Sequence, residues 1–146
     1  MDHIEYTYTA GLDREIIERL LEERRHGVLS LAKGNDAYAV PLSYFYDGSL
    51  LYIRVSEEPD STKLGFIDHT ETVAFTVYEV QNEEDSWSVL IRGTIRRLSD
   101  EERSEFTDSV MNERFPPFRL FDETVPDVEM ALYELTPIEI VGRKTI

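Results

Sequence analysis

Apolar residues recur along the chain in two rhythms, a short helical one followed by a long run of strand-like alternation. Ile16, Ile17, Leu20 and Leu21 share one face at helical spacing, which predicts a helix from Asp13, as its cap, through Arg25, with Gly27 placed to end it. Ahead of it Ile4, Tyr6 and Tyr8 alternate like a short edge strand. Residues 28–32, 37–46 and 49–56 then read as three strands, joined by turns at Gly34-Asn35-Asp36 and Asp47-Gly48 into an antiparallel meander.

After a polar stretch containing Pro59, Ser61 or Thr62 can cap a short helix that carries Leu64, Phe66 and Ile67. Residues 73–80 are apolar on both faces, as in a central strand, and 86–98 form a long strand after the acidic turn 82–85, with Gly93 marking a bulge. Ser99-Asp100-Glu101-Glu102 is a capping box that opens a helix bearing Phe106 and Val110 and stopping before Pro116-Pro117; its thin apolar stripe places it on the surface. A loop rich in Phe and Pro, 115–126, leads to a last strand, 130–141, which Pro137 sets at an edge or kinks. Six or so antiparallel strands with few helices predict a mainly β single domain over 1–146, a small barrel whose ends or gaps the helices cover. An open ferredoxin-like sheet is the competing architecture.

Composition then narrows the partners. The 146 residues suffice for one hydrophobic core, so a large ligand must lie in a surface groove or between subunits. Thirty Asp and Glu against 15 Lys and Arg give a net charge of -15, which repels phosphate backbones and anionic lipids; neither nucleic acid nor a membrane is an expected partner. Only Lys33, Lys63 and Lys144 among the basic residues are lysine, and acidic pairs such as Glu22-Glu23 and Glu83-Glu84 recur, which reads as the surface of a halophile, with an ordinary acidic protein as the alternative. With no cysteine, disulfides, thiolate metal sites and a cysteine nucleophile are excluded. The absence of a signal-like or membrane-spanning segment makes the cytoplasm the expected location.

No Walker loop, G-x-G-x-x-G, H-E-x-x-H or G-x-S-x-G motif is present, and His3, His26 and His69 are scattered without a second ligand at metal-binding spacing, so no metal is expected. The carboxylates are too many for an acid/base pair to stand out. The middle of the chain says more. A period of two puts Tyr52, Arg54 and Ser56 on one strand face and Ile53 and Val55 on the other, and Ser61, Thr62 and Lys63 follow at a helix start. A cation, hydroxyls and free N–H groups would converge there as an anion cradle. Equally, Arg54 can pair with Glu57 or Glu58 while Ser61 merely caps the helix.

Gly27-Val28-Leu29-Ser30-Leu31, Tyr38-Ala39-Val40-Pro41-Leu42-Ser43-Tyr44, Leu51-Tyr52-Ile53, Lys63 after a polar turn and Trp87-Ser88-Val89 ending near Gly93 follow one another in an order that resembles the pyridoxamine 5'-phosphate oxidase-like family. Tyr133-Glu134-Leu135-Thr136-Pro137 is similar to that family's last strand. The resemblance implies an FMN-binding split barrel, six-stranded and antiparallel, working as a homodimer with the cofactor at the subunit interface. Carried over by position, Val40, Pro41, Leu42 and Ser43 would run beside the flavin ring, Pro41 shaping the wall. Arg54, Val55 and Ser56 would line the ribityl-phosphate side, Ser61, Thr62 and Lys63 would hold the phosphate, and Trp87 and Ser88 would come from the second subunit. Packing alone, in the core or between subunits, also accounts for Trp87.

Two departures shape the expectation. Where family members often have two adjacent basic residues at the phosphate turn, Thr62 precedes Lys63 here, and no Arg-Leu-x-Pro sequence stands near Gly142-Arg143-Lys144-Thr145-Ile146. The resemblance is therefore to the family's short flavin-binding branch, including nitroimidazole-resistance-like proteins, rather than to true pyridoxamine phosphate oxidases. An FMN-dependent oxidoreductase acting on a small molecule is the leading expectation. A flavin-storage protein without turnover, or a relative using the deazaflavin F420 or haem, are its alternatives. The loop 115–121 would cover the exposed ring face or serve as dimer core.

Overall fold

The structure, a computed structural model, describes residues 9–56, 62–106 and 130–145. In chain order the elements are β1 (Thr9–Gly11), α1 (Arg14–Glu23), β2 (His26–Lys33), β3 (Asp36–Tyr46), β4 (Leu51–Ser56), α2 (Thr62–His69), β5 (Val73–Asn82), β6 (Asp85–Arg97), α3 (Asp100–Arg103) and β7 (Met130–Thr145). Neighbouring strands follow the order β1-β7-β4-β3-β2-β5-β6, and β6 pairs again with β7. That last pairing closes a ring of six antiparallel strands, with β1 added beside β7. The barrel expected from the strand pattern is thus the architecture found, and the open sheet is not.

Alternation explains which faces look inward. Leu29 and Leu31, Val40, Leu42 and Tyr44, Ile53 and Val55, Val73, Phe75 and Val77, Val89 and Ile91, and Tyr133 and Leu135 pack into one core. Helix α1 covers one end of it with Ile17 and Leu21, and the Tyr44 hydroxyl donates to the Leu21 carbonyl at 2.7 Å. Burial pushes that phenol far above its usual range, so it remains a neutral donor. Helix α2 inserts Ile67, stacks Phe66 on Tyr38 with centroids 5.2 Å apart, and is tied to β2 by the Ala32 N–H donating to Thr70 Oγ1 at 3.1 Å.

Several boundaries differ from the sequence expectation. Helix α1 ends at Glu23 because Arg24 is extended, at φ -104 and ψ 160, and reaches across to Glu79 and Trp87. Gly27 consequently lies inside β2, where a Cβ would strike the Phe75 ring. Asp13 stands at the N-cap without a side-chain bond, whereas the box at Ser99 and Glu102 is complete. Strand β7 runs on to Thr145 because β6 and β1 pair with its final residues. A bulge lies at Gly93 as expected, but its extra residue is on the facing strand, where Ile138 of β7 stands between Arg92↔Glu139 and Gly93↔Pro137. The proposed strand at Ile4–Tyr8, the helix continuation at Val110 and the loop 115–126 lie outside the described residues.

Candidate functional site

The β3–β4 ladder is only three pairs long, from Tyr46↔Leu51 to Tyr44↔Ile53. Beyond it β3 pairs with β2 alone and β4 with β7 alone, so the two strands part. Continuing the register would set Ser43 opposite Arg54 and Pro41 opposite Ser56, one on each lip of the split. In an antiparallel strand the N–H and C=O groups of alternate residues point to opposite edges; the Tyr44 N–H donates to the Arg25 carbonyl, so Val40 and Leu42 of the same parity bond to β2, and the β3 edge turned from β2 offers the Pro41 carbonyl and the Ser43 N–H and carbonyl.

The lips carry the polar side chains that the fold hides. Among the described residues the buried polar or charged side chains are Ser43, Arg54 and Ser56, at 5%, 8% and 7% exposure. All three lie on the face of their strands opposite the main core, beside a smaller cluster of Leu98 and Leu132 with Phe45, Tyr52 and Phe106. Lys63, half-buried in the first turn of α2, donates to Ser56 Oγ at 3.0 Å. Burial lowers the pKa of Arg54 below the usual guanidinium value, yet an arginine so shifted remains a cation at neutral pH. Two cations and two hydroxyls therefore gather at one place in a chain of net charge -15. A guanidinium, an ammonium and hydroxyls side by side are a donor set suited to an oxyanion.

A family profile described as pyridoxamine 5'-phosphate oxidase matches residues 13–144. The chain belongs to the pyridoxamine 5'-phosphate oxidase family. None of the curated proteins matches it. Among solved structures, an FAD-binding protein from Mesorhizobium loti superposes with a TM-score of 0.71 at 22% identity, over 94% of this chain and 99% of that one. A candidate 5-nitroimidazole antibiotic resistance protein from Bacteroides thetaiotaomicron gives 0.67 at 15% identity, over 99% and 96%. The FAD and heme binding protein from Mycobacterium smegmatis gives 0.69 at 18% identity, over 95% and 74%. These likenesses bear on the fold, a split β-barrel.

Within this member of the oxidase family, the residues singled out from sequence divide as follows. Pro41, Ser43, Arg54, Ser56 and Lys63 gather at the split, while Val40, Leu42 and Val55 turn their side chains into the core, and the backbone groups of Val40 and Leu42 bond to β2. Thr62 is the exposed first residue of α2, and Ser61 lies outside the described residues, as do Glu57 and Glu58. Trp87 and Ser88 point to opposite faces of β6. Trp87 lies on the core side against α1, with the Arg24 guanidinium carbon 5.5 Å from its ring centre, and Ser88 is exposed on the outer side. Ser56 pairs with Met130 and Trp87 with Lys144, so 14 residues of β7, about 45 Å of strand at ~3.3 Å per residue, separate the two. Sequence reasoning passed over the group at the α1–β2 corner, where Arg24, Arg25 and His26 meet Tyr78 and Glu79. Its one visible signal was three consecutive basic side chains in an acidic chain.

Proposed function

We propose that this chain is a flavoprotein that binds FMN at the split between β3 and β4 and serves, as a cytoplasmic homodimer, as an oxidoreductase for a small molecule. The cluster of Ser43, Arg54, Ser56 and Lys63 carries this reading, because a phosphate approaches so acidic a protein only where local cations outweigh the overall field. Guanidinium, ammonium and hydroxyls together fit a phosphate monoester. In this assignment Arg54 and Lys63 neutralise the phosphate, Ser56 orients the Lys63 ammonium, and Ser61 and Thr62 add hydroxyls at the start of α2. On the open β3 edge the Pro41 carbonyl and the Ser43 N–H and carbonyl supply the acceptors and the donor for the polar side of the ring. Pro41 and the backbone at Val55 form the walls that keep water from it. Bound there, a flavin supplies two-electron redox chemistry; the chain's own part is binding, orientation and electrostatics.

The FAD-binding relatives of the same fold support a flavin over other ligands, and one cluster of two cations suits the single phosphate of FMN. In a dimer it is Ser88, exposed on the outer face of β6, that a second subunit can bring to the split, while Trp87 stays packed against α1. The dimer is supported by apolar side chains left on the outer faces of β5, β6 and β7: Val80 and Ile138 are 65% and 70% exposed, and Leu90 pairs with Val141, both 41% exposed. Flavin-fluorescence titrations with FMN, FAD and riboflavin test the site. FMN should bind at least tenfold more tightly than riboflavin; equal affinities would remove the phosphate cradle. Light scattering should give a dimer that Leu90→Glu converts to monomer, and a monomeric parent would remove the shared site. Flavin bound but never reduced by nicotinamide donors or released substrates in stopped flow would leave a carrier rather than an enzyme.

A further inference from the structure

Helix α1 carries four apolar residues on one stripe, and the core takes only half of them. Ile17 and Leu21 are buried, whereas Ile16 and Leu20 stay half-exposed. With Leu12 and the indole of Trp87, that second pair walls a cavity of about 230 Å³ between α1 and the ends of β6 and β7. At ~30 Å³ for a water-sized group it admits about eight such groups, the size of one amino acid and well short of a nucleotide. The cavity lies at the end of β7 remote from the split, since Lys144 on its rim is 14 residues from Met130, the partner of Ser56.

Its walls are fixed before any ligand arrives. The Arg24 guanidinium carbon lies 5.5 Å from the Trp87 ring centre, and the Leu12 N–H donates to the Gly142 carbonyl at 2.9 Å. At the rim Thr145 Oγ1 accepts from the Ser86 N–H and donates to the Ser86 carbonyl, both at 2.9 Å, which pins β6 to β7. A preformed apolar hollow with few polar groups has the character of a small-molecule site. The rim adds two opposite charges. Lys144 pairs with Trp87 in the ladder, and Asp85, two residues before Trp87, shares its face, so ammonium and carboxylate branch from diagonal positions whose Cβ atoms stand about 7 Å apart. Among the described residues neither side chain has an ion-pair or hydrogen-bond partner.

We propose that this cavity binds a small zwitterion with a branched apolar body, an α-amino acid of leucine's size. Its carboxylate meets Lys144, its ammonium meets Asp85, and its side chain lies between Ile16, Leu20 and Trp87. Two rim charges of opposite sign that do not pair with each other match a head group that carries both. A simple acid would set a like charge beside Asp85, and a simple amine would set one beside Lys144. The assignment stands apart from the flavin reading, because it uses no residue of the split.

Trp87 is the only tryptophan in the chain and walls the cavity, so its emission reports occupancy. The full chain is titrated at one ionic strength with L-leucine and with isovalerate, isoamylamine and isoamyl alcohol, which keep the branched carbons with only the carboxylate, only the ammonium or neither charge. A saturable change is expected with L-leucine, and the three part-molecules should bind more weakly. Because the rim charges are exposed, each contributes a modest factor. Lys144→Met should weaken L-leucine and isovalerate about three- to fivefold but not isoamylamine, and Asp85→Asn should weaken L-leucine and isoamylamine by a similar factor but not isovalerate. Both replace exposed side chains and should melt with the parent. Ile16→Phe, which fills the cavity, should abolish the response, and Lys63→Ala at the split should leave it unaltered; should Ile16→Phe fail to fold, the two rim variants decide. No saturable response to L-leucine, a response undiminished in both rim variants, or one lost in Lys63→Ala would overturn the assignment. Isoamyl alcohol binding as tightly as L-leucine would also overturn it, leaving an apolar patch for another kind of partner.

Discussion

Replacing Lys63 by alanine tests the split as a phosphate site. The side chain is half-buried and its ammonium already donates to Ser56 Oγ at 3.0 Å, so much of the freedom it would lose on meeting a phosphate is lost beforehand. A charge-assisted hydrogen bond of this kind contributes about 1.5–3 kcal/mol, which corresponds to a roughly ten- to hundredfold loss of FMN affinity. Partial exposure places the effect near the upper figure at about 0.1 M salt and near the lower in molar KCl, where the screening length shrinks to about 3 Å. Ser56→Ala should weaken FMN less. The double variant should lose less than the two single losses together, because the hydroxyl acts by holding the ammonium. Riboflavin, without a phosphate, should bind all variants alike, and the melting temperature without flavin should barely change. Fluorescence titrations of both ligands at two salt concentrations give every term. An FMN affinity that Lys63→Ala leaves intact, or a matching loss for riboflavin, would refute the reasoning.

Gly93→Ala should lower the melting temperature markedly in thermal denaturation, since a Cβ there collides with the Thr136 carbonyl oxygen at the bulge. Gly11→Ala, which meets nothing within 4 Å, should not. The Arg96 guanidinium, with the Ser99 N–H, holds Glu102 down to about 2, so its contribution to stability is complete above the usual carboxylate value of 4.5 and is lost as pH falls from there towards 2. Glu102→Gln should flatten that limb of an acid titration followed by circular dichroism; an unchanged limb would remove the bond from the account. Stability should rise with KCl into the molar range as repulsion among 30 carboxylates is screened, and a flat or falling series of melts would exclude a halophilic surface.

Much of this fold was legible because local signals agreed with the tertiary outcome. Alternation in β4 names the residues that reach the core, Ser99 and Glu102 form their box, and Gly93 marks the bulge, whereas β5, read as apolar on both faces, alternates and leaves Tyr78 and Val80 60% and 65% exposed because, among the described residues, no strand or helix covers its outer face. At the site, the shared parity of Arg54 and Ser56 and the proximity of Lys63 could be read from one stretch of sequence. What escaped depends on distant partners. Arg24 leaves the helix because Glu79, 55 residues away, and Trp87 receive its side chain. The split itself has no sequence mark, since its opening is decided by where β2 and β7 end their competing ladders. Period two did separate Trp87 from Ser88, but grouping them by adjacency hid that they serve opposite faces.

Strand β7 holds β6 along one edge and both β4 and β1 along the other. Since a ribosome delivers the chain from its N-terminus, β4 and β6 are made with one edge bare and wait for residues 130–145 before either can be covered. Pairings that join such remote segments are slow to form, and open strand edges invite the wrong partner, another nascent copy included. The net charge of -15, carried by the segments around these locally basic strands, keeps such copies apart during that interval. The acidity that makes an anion site hard to build thus protects the molecule while it is being made.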